Sequence, residues 1–380
     1  MNQTAKLLTK SKQRFLSLDV LRGIAIASMI LVNTPGDWGI RYGPLKHAVW
    51  HGFTITDLIF PAFLFVVGNA MSFSMKKFSF LSEKEFFKKS FSRFFKIFII
   101  GLLLHSFPLL LRKGGELALN DMLNVGLTGV LQRISITYLI SAFIIRYFEL
   151  RSVVFITAFV LLGYWGVMWF FGDPNLQYTP EGNAILKLDA IVFQFKTHTG
   201  SRVRFDSEGL LSNLPAMVNV LFGYLTGRFV QKSGNSITTV WKLAVAGLIF
   251  IIAGQIWGIW FPINKALWTS SYVLYTTGLI LILLSFLIWI LEIMKLKKWS
   301  YPFETFGKNP LFIYIVSDAL QTLLYAIPVK DTELQYVIYN SLFSSWLNPY
   351  NASLFFAICY VALMWLISYW LDKRKIYIKV

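Results

Sequence analysis

Apolar runs of about twenty residues recur along this 380-residue chain, each long enough to cross the hydrocarbon core of a bilayer as a helix. Ten such spans are expected, at roughly 15–34, 54–75, 91–111, 127–146, 152–171, 212–230, 239–259, 268–291, 304–327 and 351–371. A soluble domain that is 56% hydrophobic and 17% aromatic would expose far more apolar surface than water tolerates. The expected fold is therefore all-α: a polytopic bundle of about ten transmembrane helices, one domain over residues 1–380, with the lipid bilayer as its first partner.

A formal charge of +17 raises nucleic acid as a partner, but the basic residues cluster in the short connections, where the positive-inside rule explains them. One side of the membrane receives Lys6, Lys10, Lys12 and Arg14, the cluster from Lys76 to Lys96, Arg146 and Arg151, Arg228 to Lys242, Lys295 to Lys298, and Lys373 to Lys379. The other side receives Arg41, Lys46, Arg112, Lys113, Lys187, Lys196, Arg202, Arg204, Lys265 and Lys330, spread over longer loops. The first side is read as cytoplasmic, and an even number of spans leaves both termini there. No nucleic-acid partner is expected. Asp19 and Arg22 interrupt the first apolar run, so the N-terminal segment is expected to stay attached. The one cysteine, Cys359, lies inside the last run and has no intrachain partner.

Polar residues gather at the ends of the spans, where ionisable groups are costly unless they face protein or water. "RFLSLDVLRG" sets Asp19 and Arg22 three apart on one face of the first span, which continues about 16 Å to Asn33. In "LKHAVWHGFTITDLIFPAFLFVVGNA" His47 and His51 precede the second span, and Asp57 stands at its threshold, where Thr54 or Thr56 supplies a cap and Pro61 a bend. The four-residue histidine spacing suits helical zinc ligands, but no glutamate follows His47, and no metal is expected. "GVLQRIS" places Gln132 and Arg133 in the fourth span, where an arginine must find an anion or a carbonyl. "WFPINKALWTSSY" places Asn264, Lys265 and Trp268 before the eighth, Trp268 alone reading as an interfacial anchor, and "FETFGKNPLFIY" places Lys308 at the start of the ninth. The loop 172–211, with "FDSEGLL" and Glu208, is long enough for a lid or part of a substrate site.

In order along the chain, "RFLSLDVLRGIAIASMILVN", "LKHAVWHGFTITDLIFPAFLFVVGNA", "GVLQRISITYLI", "FDSEGLLSNLPAMVNVLFGYLTG" and "WFPINKALWTSSYVLYTTGL" resemble the heparan-α-glucosaminide N-acetyltransferase family and its bacterial relatives. The resemblance covers nearly the whole chain. It implies transfer of acetyl from cytosolic acetyl-CoA to the amine of a glucosamine or terminal glucosaminide beyond the membrane, here the cytoplasmic membrane of a bacterium. By motif, His47 matches the catalytic histidine and Asn33 its partner asparagine, and Asp57, Gln132 and Arg133 fall on motif positions. The family usually carries asparagine where this chain has His51.

Given that chemistry, His47 is expected to act as general base toward the amine, or as nucleophile through an acetyl-histidine. Asp57 either fixes the ring tautomer or binds the sugar ammonium, and Asn33 donates to the oxyanion. Arg22 or Lys308 is expected near the phosphates of acetyl-CoA, with Gln132 and Arg133 where its acyl end meets the sugar. His51, Glu208, Asn264, Lys265 and Trp268 complete the amino-sugar site. A homodimer is compatible with the sequence. The alternative is an amino-sugar permease using the same cavity, although the inverted repeats common in transporters are not evident.

Overall fold

The computed structural model describes residues 15–108, 110–113, 116–119, 127–192, 205–330 and 332–378, with side chains described outside 110–119. The basic N-terminal cluster, together with Lys196, His198, Arg202, Arg204 and Lys379, lies outside the described residues, and of the 172–211 loop only 172–192 and 205–211 are described. Thirteen α-helices appear in order among them: α1 Leu16–Asn33, α2 Ile55–Phe78, α3 Glu83–His105, α4 Val130–Tyr147, α5 Leu150–Phe171, α6 Ala184–Val192, α7 Asn213–Ser233, α8 Ile237–Trp257, α9 Ser270–Ile288, α10 Tyr301–Lys308, α11 Pro310–Ala326, α12 Leu334–Tyr339 and α13 Pro349–Lys373. Two short antiparallel hairpins interrupt them, β1 Leu110–Lys113 with β2 Glu116–Leu119 and β3 Pro328–Val329 with β4 Thr332–Glu333.

Each expected apolar stretch contains a helix, but among the described residues six helices are long and apolar enough to cross a membrane by length and composition: α1, α2, α5, α8, α9 extended to Ile293, and α13. Two of the expected stretches depart from the observed helices by more than a few residues or are broken. The third begins at Glu83, where Ser82 and Glu85 form a reciprocal cap that starts the helix in a polar segment. The ninth is split, because Pro310 disfavours helical backbone at Asn309, which adopts φ −129°, so α10 stops and α11 restarts within one apolar stretch.

Burial separates interior from peripheral helices. In α2, 72% of the most apolar window is buried, against 28% in α5 and in α8, which turn Phe155, Phe159, Phe170, Trp241 and Ile249 outward as a lipid-facing surface would. The α2–α7 contact is backbone to backbone: a Cβ on Gly68 would lie 1.7 Å from the Val220 carbonyl oxygen, and one on Gly223 1.8 Å from that of Phe65. Any side chain at either position would push the two helices apart. Leu64, Phe65, Val220 and Leu221 are fully buried around this seam. It fixes α2, whose N-terminus carries the site.

Candidate active site at the start of α2

Asp57 is the third residue of α2 and is almost fully buried. Its Oδ2 accepts the Thr54 amide at 2.9 Å, closing the helix cap, and the Ala48 amide at 3.1 Å. Its Oδ1 lies 2.7 Å from His47 Nδ1. An ionised carboxylate has no proton to give, so Nδ1 is the donor and the Nε2 lone pair is left for other chemistry. The ring is about half exposed while its carboxylate partner is shut away from solvent.

The loop holding His47 is tied down on both sides. The Thr54 hydroxyl donates to the Lys46 carbonyl at 2.7 Å, and that of Thr56 to the Pro44 carbonyl at 3.0 Å. The Gly52 amide reaches the Ile263 carbonyl at 2.9 Å from φ +113°, a backbone conformation that favours glycine. The Trp50 indole donates to the Tyr178 carbonyl at 2.7 Å. Asn264 is a fully buried knot: its Nδ2 donates to the Trp50 carbonyl at 2.9 Å and stands 3.3 Å from His51 Nδ1, while its Oδ1 accepts the Leu267 amide at 2.8 Å. His47 and His51 therefore face different partners, and burial holds the His51 ring below the ordinary histidine range.

Lys265 Nζ lies 3.1 Å from both His47 ring nitrogens. The two nitrogens point in divergent directions, so Nζ cannot lie along both and stands against the ring. Burial pulls Lys265 below the ordinary lysine range, opposed by the carboxylates of Asp57 and Glu208. Behind it, Arg133 is enclosed on α4. Its guanidinium lies 4.6 Å from the centre of the Trp268 ring and 5.9 Å from that of Phe60, and Nη2 donates to the Ser207 carbonyl at 2.8 Å and to the Ser212 hydroxyl. Arg133 Nε and Nη1 are buried with no hydrogen-bond partner among the described residues.

Trp268 is fully buried with φ +50°, which corrects its reading as an interfacial anchor; its indole donates to Asn219 Oδ1 at 3.0 Å. Tyr272 packs edge-on against Trp268 and donates to the Asp57 carbonyl at 2.5 Å, linking the arginine layer to the dyad. Tyr272 escaped sequence reading, although a polar "TSSY" opening an apolar helix was a usable signal. Glu208 accepts the Ser207 hydroxyl at 2.6 Å and lies within electrostatic reach of Arg133 and Lys265.

Asn33 ends α1, and its carbonyl accepts Gln321 Nε2 from α11 at 2.8 Å. Among the described residues no hydrogen bond joins its side chain to His47. Gln132 Nε2 stands 3.4 Å from His105 Nδ1, and its Oε1 is buried without a partner among those residues.

Around the middle of α2, a pocket lies between α1, α2, α3, α4 and the start of α11. Arg22 and Arg93 line it with Phe63, Val67, Tyr138 and Leu311. The Arg93 guanidinium lies 4.5 Å from the centre of the Tyr138 ring, and its Nε is buried without a partner among the described residues. Arg93, an arginine within a phenylalanine-rich helix, was not singled out from sequence. Arg22 bonds to Asp19 at 3.3 Å and to the Gly307 carbonyl at 3.1 Å. Lys308 is engaged by Asp372 at 2.8 Å and Glu304 at 3.2 Å, so its charge is already met by two carboxylates. Both regions draw on the same two helices: Phe63 is one turn from Phe60 on α2, and Ile134, another lining residue, follows Arg133 on α4.

The chain is similar to proteins of known name. The mouse protein named heparan-α-glucosaminide N-acetyltransferase is 24% identical over 429 aligned positions, which take in 97% of this chain and 61% of the mouse protein. The human protein of the same name is 25% identical, with 97% of this chain and 60% of the human protein aligned. The chain thus spans about three-fifths of the length of these curated relatives. The catalytic-region family of heparan-α-glucosaminide N-acetyltransferase matches residues 14–258. That match takes in well over half of the sequence and includes His47, Asp57 and Arg133; the chain belongs to this family.

Proposed function

We propose that the chain is a transmembrane N-acetyltransferase with ten spans and both termini in the cytoplasm of a bacterium. It moves acetyl from cytoplasmic acetyl-CoA to the amine of an extracytoplasmic glucosamine or terminal glucosaminide. The observation that carries this reading is the 2.7 Å contact between His47 and buried Asp57 at the start of α2, in an apolar bundle that also holds an arginine-lined pocket farther along the same helix. The names of the mouse and human relatives supply the glucosaminide and the acetyl group.

With Nδ1 committed to Asp57, His47 Nε2 takes a proton from the amine as its nitrogen attacks the thioester carbonyl. A C–N bond forms, the C–S bond breaks, and the proton returns to the departing thiolate. Asn33 donates to the oxyanion through its amide. Lys265 and Glu208 offer a donor and an acceptor to sugar hydroxyls, within the frame made by Asn264, His51 and Trp268. In the pocket, Arg22 and Arg93 receive the nucleotide phosphates, and the uncharged pantetheine arm runs past Phe63 and Ile134 toward Gln132 and Arg133. Two charged substrates thereby react without either crossing the bilayer.

The test is topological. Proteoliposomes loaded with acetyl-CoA and bathed in glucosamine should form N-acetylglucosamine outside. Product formed only when both substrates share one side would overturn the reading, as would uptake of labelled glucosamine in the absence of any acyl donor.

A further inference from the structure

Acetyl transfer from a thioester to an amine needs a proton removed at nitrogen and a proton supplied at sulfur. His47 Nε2 meets the first need. For the second, the ammonium of Lys265 stands 3.1 Å from that same nitrogen.

Lys265 is fixed along its backbone and free at its tip. Its carbonyl accepts the Trp268 amide at 3.0 Å, and the carbonyl of Asn264 before it accepts the Thr269 amide at 3.1 Å. Asn264 is fully buried, with its side chain bonded to the Trp50 carbonyl and the Leu267 amide. The turn is thus held, and the flexible four-carbon stem is what moves. Nζ lies 3.1 Å from Nδ1 as well as from Nε2, so at equal distance from both it lies along neither. The Nε2 lone pair stays open to an amine while the ammonium stands beside it. Trp268, whose amide Lys265 holds, lies 4.6 Å from the guanidinium of Arg133, toward which the proposed function brings the pantetheine arm.

The titratable groups facing Lys265 are His47, Asp57, Glu208 and Arg133. An imidazolium and an ammonium at this separation repel, and the Asp57 carboxylate attracts both. When His47 takes up a proton, Lys265 therefore loosens its hold on its own at the moment sulfur acquires negative charge. Burial already holds that ammonium below the ordinary lysine range.

We propose that Lys265 is the general acid of the reaction, passing a proton from Nζ to the sulfur of the departing CoA. As the C–N bond forms and the C–S bond breaks, the amine's proton goes to His47 Nε2, a Lys265 N–H bond breaks and an S–H bond forms. After the products leave, the proton on His47 passes to the neutral Nζ beside it, and both groups regain their starting state. Over the whole cycle the thiol has received the proton that the amine lost. An ammonium carries three N–H groups, so Lys265 can hold a sugar hydroxyl with one and serve sulfur with another. The inference rests on the reading of the chain as an acetyltransferase that uses acetyl-CoA, and it places a catalytic residue beyond the 14–258 stretch matched by the family.

The experiment turns on the leaving group. Full-length detergent-purified parent and Lys265→Arg are compared with acetyl-CoA and with its analogue carrying selenium in place of the thioester sulfur, whose weakly basic selenolate departs without a proton. Arginine keeps the positive charge but holds its protons too tightly to give one up. With acetyl-CoA the substitution should lower kcat about 100–1,000-fold, with CoA affinity by calorimetry within about threefold of the parent. With the selenium donor the loss should be less than about fivefold. In the parent, kcat with acetyl-CoA should fall as rising pH removes the Lys265 proton, and kcat with the selenium donor should not. Equal losses with the two donors overturn the proposal. So does a parent without that alkaline fall, or with the same fall for both donors, whether or not the variant folds. A parent that transfers acetyl from neither donor removes the acetyltransferase reading and this proposal together.

Discussion

Replacing Asp57 with asparagine tests the dyad at the level of a single proton. Two backbone amides, of Ala48 and Thr54, point at Oδ2, while His47 Nδ1 points at Oδ1. A carboxamide can keep its oxygen at only one of these places. With oxygen toward the imidazole, two buried N–H donors face an NH2 group, at about 1–3 kcal/mol each. The favoured arrangement keeps oxygen on the amides and turns NH2 toward Nδ1, which must then present its lone pair. The ring proton moves to Nε2, where the base was needed. Inverting a catalytic tautomer in this way costs on the order of 10⁴-fold in kcat, about 5 kcal/mol of transition-state free energy. Helix α2 keeps both amide bonds of its cap, so loss of stability should stay near 1 kcal/mol, the difference between a charged and a neutral hydrogen bond to His47. The assay is acetyl transfer from labelled acetyl-CoA to glucosamine at saturating concentrations of both, beside thermal melting in detergent. An Asp57→Asn protein working within tenfold of the parent would show that the ring is oriented by something other than Asp57.

Three further outcomes follow from the geometry. His47→Ala should reduce acetyl transfer by at least 10³-fold while leaving the melting temperature and CoA binding, followed by calorimetry, close to the parent; parallel loss of folding would assign the imidazole a structural role. Arg93→Gln should raise KM for acetyl-CoA about 10–100-fold without altering KM for glucosamine, and the opposite pattern in steady-state kinetics would remove Arg93 from the donor site. Asp189 on α6 is raised to about 6 by burial, with Asp206 adding to the shift and the Leu210 amide and Arg133 opposing it. Its folded pKa exceeds its ordinary value, so the stability it contributes is complete below about pH 4 and is lost as pH rises through 6. Asp189→Asn should therefore melt like the parent near pH 4 and above it near pH 8 by about 1–2 kcal/mol after solvent screening, and a difference independent of pH would refute the assignment.

Much of the fold was legible because bilayer thickness imposes a length on apolar runs, and each expected run contains a helix. Hydropathy averages hid the break at Asn309, where a proline carries the information and its apolar neighbours mask it. The ends of α3 were misplaced for a related reason: a Ser82–Glu85 cap can start a helix in a segment too polar for a span. At the site, the spacing of His47 and Asp57 left open whether the carboxylate served the ring or the sugar, since ten residues of loop can close in many ways. The answer depends on the Thr54, Thr56 and Gly52 ties, whose partners include Ile263 from far along the chain. Lys308 illustrates the converse limit. The local sequence around this lysine gave no sign of its bond to Asp372, 64 residues away.

The bond between the Gln321 side chain and the Asn33 carbonyl joins residues 288 positions apart. During synthesis α1 leaves the ribosome long before α11 exists, and domains acquire contacts in the order their parts emerge. The end of α1 must therefore wait, unanchored on that side, until nearly the whole polypeptide has been inserted. On the proposed function, activity is a late event in biogenesis, and a nascent chain cut short before α11 would hold the imidazole and its carboxylate without the bond that anchors the end of α1. Such a product would sit in the membrane inert.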